Sequence, residues 1–313
     1  MRALVTGGAG FIGSHLAERL AGDGHEVVCL DDLSTGRLRN LERLLPAGRA
    51  TFVRADVIEA LPVEGPFDQV YHLASPVSAA QHTVRPIRTL RAGAEGTRRC
   101  LDLAASCGAT FVMASTSEVY GDPAVHPQVE TYTGNVDPVG VRGSYNEAKR
   151  YAEALVTAYG AERGLKVRIA RIFNTYGPRM RPDDGRVVAD FIVRALAGRP
   201  LRVFGSGGQT RSFCYVSDMV EALVRLAACE EAGGPVNLGN PDEVRILDLA
   251  REVIARTGSR SEVAFAGQPP GDPQRRRPDI TLARRLLGWE PRVPRADGLD
   301  RTIAYCRDEE PIA

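Results

Sequence analysis

The chain has 313 residues, 40 Lys plus Arg against 39 Asp plus Glu, and a formal net charge of +1. That balance argues against a nucleic-acid binder, which carries a basic excess. With 43% hydrophobic residues the composition is that of a globular protein, long enough to bury a full core as one large domain or two lobes. No stretch approaches the roughly 20 apolar residues of a membrane helix. The basic residues divide into 38 Arg and only two Lys, Lys149 and Lys166. Coding bias accounts for that skew, and it makes each lysine worth locating. The six cysteines are scattered without a CxxC pair and are expected as free thiols of a reducing cytoplasm. The apolar run at Ala3 begins so close to Met1 that no signal peptide is expected. His72, His82 and His126 show no ligand spacing, so no metal site is expected.

Short apolar runs alternate with amphipathic segments through the first half. Strands are expected over 3–6, 26–30, 51–54, 69–73, 110–114 and 167–172, with helices over 13–21, 89–106 and 145–163. That βαβα order predicts a doubly wound parallel sheet with helices on both faces, an α/β Rossmann fold. After Tyr176 the chain turns to Gly-Pro turns, short strands and loops. A smaller C-terminal lobe for the substrate is therefore expected over 175–313, with 1–174 as the cofactor domain and one strand near 235–239 returning to the main sheet.

The run Thr6-Gly7-Gly8-Ala9-Gly10-Phe11-Ile12-Gly13 follows the first strand and opens a helix. Glycines at 7, 10 and 13 let the backbone turn tightly and approach a pyrophosphate, whose charge sits at the helix N-terminus. Asp31 ends the second strand, 18 residues beyond Gly13, where a carboxylate accepts hydrogen bonds from an adenosine ribose and repels a 2′-phosphate. The pattern predicts NAD rather than NADP. Phe11, Ile12 and Leu73 join the cofactor set, and Asp56 and Val57 are placed to border the adenine.

Tyr145 and Lys149 are four apart on a helical stretch, so both project from one face. A phenol titrates at about 10, and bringing it near neutrality takes roughly 4 kcal/mol of preferential phenolate stabilisation. One cation about 4 Å away, at an effective dielectric of about 20, supplies a term of that size. Lys149 is thus expected to lower the Tyr145 pKa, with a positive nicotinamide ring adding to it. Thr116, Ser117 and Glu118 follow the fifth strand, at the carboxyl edge where open α/β sheets bind ligands.

On these motifs the chain resembles the extended short-chain dehydrogenase/reductases that act on nucleotide sugars, and among them the UDP-glucuronate decarboxylases, or UDP-xylose synthases. The resemblance rests on GGAGFIGSH at 7–15, STSEVYGDP at 115–123, HPQ at 126–128, SYNEAKR at 144–150 and RIFNTYGPRM at 171–180. It continues through DDGRVV at 183–188, QTRSFCYVSD at 209–218, VNLGNP at 236–241, DPQRRRPDI from 272 and LGWEP ending at 291. It implies that Thr116 and Tyr145 bind the sugar O4, with Tyr145 as base and Lys149 on the nicotinamide ribose. It implies further that Asn174, Val188, Phe204, Arg211 and Arg276 hold the nucleotide sugar.

Three chemistries share oxidation at C4. A 4,6-dehydratase typically carries Thr-Asp-Glu where this chain reads Thr116-Ser117-Glu118, so the acid that expels water is missing. A 4-epimerase usually has neither acid. A decarboxylase needs none for its leaving group, because a ketone β to the C6 carboxylate accepts the electrons left by carbon dioxide. The expected reaction is UDP-glucuronate to UDP-xylose with one NAD recycled internally. Glu118 and Arg276 are expected near the substrate carboxylate, either one or water reprotonating C5. A dehydratase, an epimerase and an inactive NAD-binding regulator are the alternatives. Three positions depart from the relatives' pattern: Gly93 where Asn is common, Asn146 where Asp is, and Thr133 where an aromatic is. By analogy, helices near 93–107 and 145–162 are expected to form a homodimer interface.

Overall fold

The computed structural model describes residues 1–76, 83–181, 185–269 and 271–308. His82, and Asp183 and Asp184 of the 183–188 motif, lie outside these. Six parallel strands run through the first half: β1 Arg2–Thr6, β2 Glu26–Asp31, β3 Ala50–Arg54, β4 Gln69–His72, β5 Thr110–Thr116 and β6 Val167–Ile172. Pro235–Leu238 adds a seventh beside β6, giving the order seventh–β6–β5–β4–β1–β2–β3. The order reverses between β1 and β4, which opens a crevice at their carboxyl ends.

Alternation within each strand divides the core. Ala3 and Val5 of β1 pack into one apolar cluster, while Leu4 enters the other. In β5, Val112 faces the first cluster, and Phe111 and Met113 the second. Period-two patterning in a sheet buried on both faces produces this division. Helix α1, Phe11–Gly22, supplies Leu16, Ala17 and Leu20 to the first cluster. Helices α3, Thr97–Cys107, and α4, Gly143–Arg163, supply Cys100, Leu101, Ala104, Ala152 and Val156 to the second.

The single helix expected over 89–106 is three pieces: α2 Pro86–Arg91, a π-helical turn Ala92–Gly96, and α3. Gly93 and Gly96 lie in the wide turn, a distortion that occurs preferentially at functional sites. Helix Val216–Ala228, placed by sequence in the second lobe, packs beside α1 and against β5 and β6. The remaining C-terminal elements are three further sheets of two or three strands and the helices Val187–Leu196, Ile246–Thr257, Thr281–Leu287 and Arg295–Asp308. No helix among the described residues is long and apolar enough to cross a membrane.

Candidate active site

A cavity of about 640 Å³ opens at the carboxyl ends of the parallel strands. Every residue that the sequence reading placed in a site lines it, including Asn174, Val188 and the half-exposed Phe204.

At one end the wall is backbone. Gly7 turns with φ +72°, and a Cβ there would lie 2.8 Å from the Ala74 nitrogen. At Gly13 a Cβ would lie 2.1 Å from the Gly7 carbonyl oxygen. Helix α1 begins with no side-chain cap and no acid in its first turn, which leaves its first-turn amides without a side-chain acceptor. The Asp31 carboxylate accepts the Ala9 N–H at 3.1 Å and the Leu33 N–H at 2.9 Å. Burial, with the neighbouring Asp32 charge, pushes its pKa up, against those two amides and that of Gly10. His72 is buried beneath this end, hydrogen-bonded to Thr6 at 2.9 Å and Thr97 at 3.2 Å. Burial and the Lys149 charge lower its pKa to about 3, so it is a neutral structural group.

Tyr145 and Lys149 project together from α4, both buried. The Tyr145 hydroxyl hydrogen-bonds the Thr116 side chain, and Thr116 Oγ1 accepts the Glu118 N–H at 3.2 Å. Lys149 Nζ donates to the Ala114 carbonyl at 2.8 Å. Burial brings the Lys149 pKa down to about 8, with Glu153 opposing. One expectation is corrected here. Burial raises the Tyr145 pKa and Glu118 adds to the rise, against the Thr116 hydrogen bond and the charges of Arg186 and Arg276. The ammonium expected to lower the phenol is turned instead to a backbone carbonyl.

At the other end the wall is charge. Arg276, 2% exposed, pairs with Glu118 and donates to the Gly121 carbonyl at 2.9 Å. Arg142 reaches Glu118 at 3.3 Å and Asp272 at 3.4 Å, and Arg211 reaches Asp272 at 3.0 Å. Burial pushes the Glu118 carboxyl up, yet Arg276, Arg142 and Arg211 outweigh it and hold the group below its ordinary value. Three guanidiniums against two carboxylates leave one net positive charge. Arg276 Nε is buried without a hydrogen-bond partner. Ser117 is buried between Thr116 and Glu118.

The sequence profile of the NAD dependent epimerase/dehydratase family matches residues 3–239. The chain belongs to this family. A UDP-glucuronic acid decarboxylase 1 of Xenopus tropicalis is 51% identical over 308 residues, covering 98% of this chain and 72% of that one. A UDP-glucuronic acid decarboxylase 6 of Arabidopsis thaliana is 50% identical over 300 residues, 96% of this chain and 87% of that one. Among solved structures, the UDP-glucuronic acid 4-epimerase of Bacillus cereus, in complex with UDP-glucuronic acid and NAD, superposes with TM-score 0.89. Its identity is 29%, over 98% of this chain and 99% of that chain. NAD is the family's cofactor, and the backbone end fits it: the space at Gly7 and Gly13 that no Cβ can share, the open end of α1 and the acid Asp31 suit a dinucleotide with a free ribose.

Sequence reasoning missed Arg142 and Asp272. Arg142 stands three residues before Tyr145, a spacing that places it near the same helix face, but 38 arginines hid it. Gly93 is also reinterpreted. A Cβ at 93 would lie 2.7 Å from the Ala148 Cβ and 2.8 Å from the Ala148 carbonyl oxygen. The glycine is thus the contact that lets the π-helical turn sit directly against α4, beside Lys149. Asn146 is buried, with Oδ1 unpartnered.

Proposed function

We propose that this protein is an NAD-dependent decarboxylase of UDP-glucuronate that forms UDP-xylose. Two named UDP-glucuronic acid decarboxylases at 50–51% identity over nearly the whole chain support this reading. The observation that carries it in the structure is the cluster of Arg142, Arg211 and Arg276 with Glu118 and Asp272, a surplus of positive charge beside Thr116 and Tyr145.

Bound NAD supplies the reversible two-electron oxidation of C4 and a positive ring that favours the Tyr145 phenolate. Tyr145 exchanges the O4 proton, and Thr116 hydrogen-bonds to it and orients it. Lys149, buried and cationic below about pH 8, would hold a ribose of the bound cofactor. Once C4 is a ketone, the C5–C6 bond breaks and carbon dioxide leaves. The electron pair becomes an enolate on O4, where the hydroxyls of Tyr145 and Thr116 stabilise it. Ser117 offers a hydrogen bond where a dehydratase has an acid. Glu118, held ionised by its arginines, orients Arg276 and a water rather than donating its own proton. C5 is then reprotonated and C4 restored to an alcohol. Arg211 and Arg276 hold anionic oxygens of the nucleotide sugar, with Asn174, Val188 and Phe204 beside them.

We assign cofactor binding chiefly to residues 1–174 and substrate binding chiefly to 175–313. We assign the protein to a reducing cytoplasm, on its six cysteines, none of them joined in a disulfide and four of them buried. The working unit is read as a homodimer, supported by exposed Ile87 and Leu90 on α2 and Tyr151 on α4. The test of function is incubation with UDP-glucuronate, following carbon dioxide and the sugar product by NMR. Formation of UDP-xylose is the expected result. Unchanged UDP-glucuronate alongside turnover of UDP-glucose or dTDP-glucose would contradict it.

A further inference from the structure

One charged group on the cavity wall has no part in the chemistry described so far. Arg88, on α2, sends one nitrogen, Nη2, to two carboxylates: Asp32 Oδ2, and Asp56 Oδ2 at 2.8 Å. All three residues line the cavity. Asp32 lies just past β2 and Asp56 just past β3, whereas α2 follows β4 on the other side of β1. The ion pairs therefore run from one wall of the adenosine end to the other.

Both acids are already aimed. Asp32 Oδ1 accepts the Ser34 N–H at 2.8 Å and its hydroxyl at 2.7 Å, and Asp56 Oδ1 accepts the Ile58 N–H at 3.0 Å. Each carboxylate is fixed in its loop by one oxygen and presents the other to Arg88. A guanidinium between two carboxylates is also a poor ligand for a cofactor phosphate, since its charge is already matched.

We propose that Arg88, Asp32 and Asp56 form a clasp across the adenosine end of the dinucleotide site that slows release of bound NAD. This rests on the reaction read above, which needs it: a cofactor reduced and reoxidised within one turnover must stay in place between the two halves. Opening the clasp separates charges, and Arg88 has 35% of its side-chain surface exposed, so salt screens the contact.

The test is the rate at which NAD leaves the loaded protein, followed by rapid dilution and mass spectrometry of the retained dinucleotide. In Arg88→Met, which keeps most of the side chain's length without its charge, release is expected to quicken about tenfold, the scale of an ion-pair network. Asp32→Asn removes one arm from the other side and is expected to give a smaller increase; it also carries the test if Arg88→Met does not fold. Release from the parent is expected to quicken with salt, and this salt dependence is expected to diminish in Arg88→Met. Parental release rates in both variants would overturn the proposal, as would a salt dependence unchanged in Arg88→Met. The readout needs no sugar turnover, so a failure of UDP-glucuronate as substrate is told apart from a failure of the clasp.

Discussion

The two ends of the cavity are built from different material. Around Gly7, Gly13 and the start of α1, the end proposed for the dinucleotide is backbone, shaped by where a Cβ cannot go. Around Glu118, Arg142, Arg211, Asp272 and Arg276, the end proposed for the sugar is side-chain charge gathered from four separate segments. Backbone shape accepts one cofactor, in one geometry. A network of ion pairs can exchange partners, which suits a substrate whose carboxylate must be held and then released as carbon dioxide.

The largest expected effect falls where the two ends meet. Tyr145→Phe removes the group proposed to exchange the O4 proton and is expected to lower kcat by about 10²–10⁴-fold, measured by steady-state assay, with NAD still bound. Lys149→Arg is expected to cost most of the activity, because a planar guanidinium does not replace a compact ammonium. Parent activity is expected to fall on the alkaline side as Lys149 loses its proton near pH 8. The sign for stability is opposite. Between pH 8 and 10.5 the unfolded chain holds a proton that the folded chain releases, so this group's contribution to stability rises with pH. A pH–rate profile paired with melting curves separates the two.

Gly13→Ala tests the backbone end. Its methyl group meets the Gly7 carbonyl, and the required shift is expected to cost about 1–3 kcal/mol, read by denaturant unfolding, with NAD affinity falling as well. Arg142→Met tests the charged end. It is expected to raise KM for the sugar nucleotide about tenfold, the scale of a charge-assisted contact, without changing the NAD dissociation constant. An equal effect on both ligands would erase the distinction between the ends. At Gly93 the effect is expected on stability alone. Gly93→Ala is expected to cost about 1–3 kcal/mol by crowding Ala148, and Ala148→Gly to relieve part of it, a coupling read by a double-mutant cycle.

The same difference decides how much was legible in the sequence. The glycines at 7, 10 and 13, Asp31, and the pair Tyr145 and Lys149 carry their meaning in short spacings, because strand, turn and helix hold neighbouring residues in fixed relation. The parallel sheet was legible for a similar reason, its strands being near-continuous apolar runs. Arg142 and Asp272 are far apart in sequence and meet only through tertiary packing; no local pattern marks Arg142 among 38 arginines, and the motif that holds Asp272 does not say which side chain it meets. The π-helical turn at 92–96 was read as plain helix, since its packing partner, Ala148, lies some 50 residues away. The Tyr145 pKa was misjudged because a pairwise Coulomb estimate omits burial, the largest influence on that phenol.

The central claim is that one cavity oxidises C4, releases carbon dioxide and restores the C4 alcohol with the same bound cofactor. UDP-glucuronate deuterated at C4 tests it most directly. The account predicts UDP-xylose that keeps the deuterium at C4 and, in ordinary water, gains a protium at C5, both read by NMR and mass. UDP-xylose without deuterium at C4, or release of a 4-keto sugar nucleotide as the main product, would contradict it.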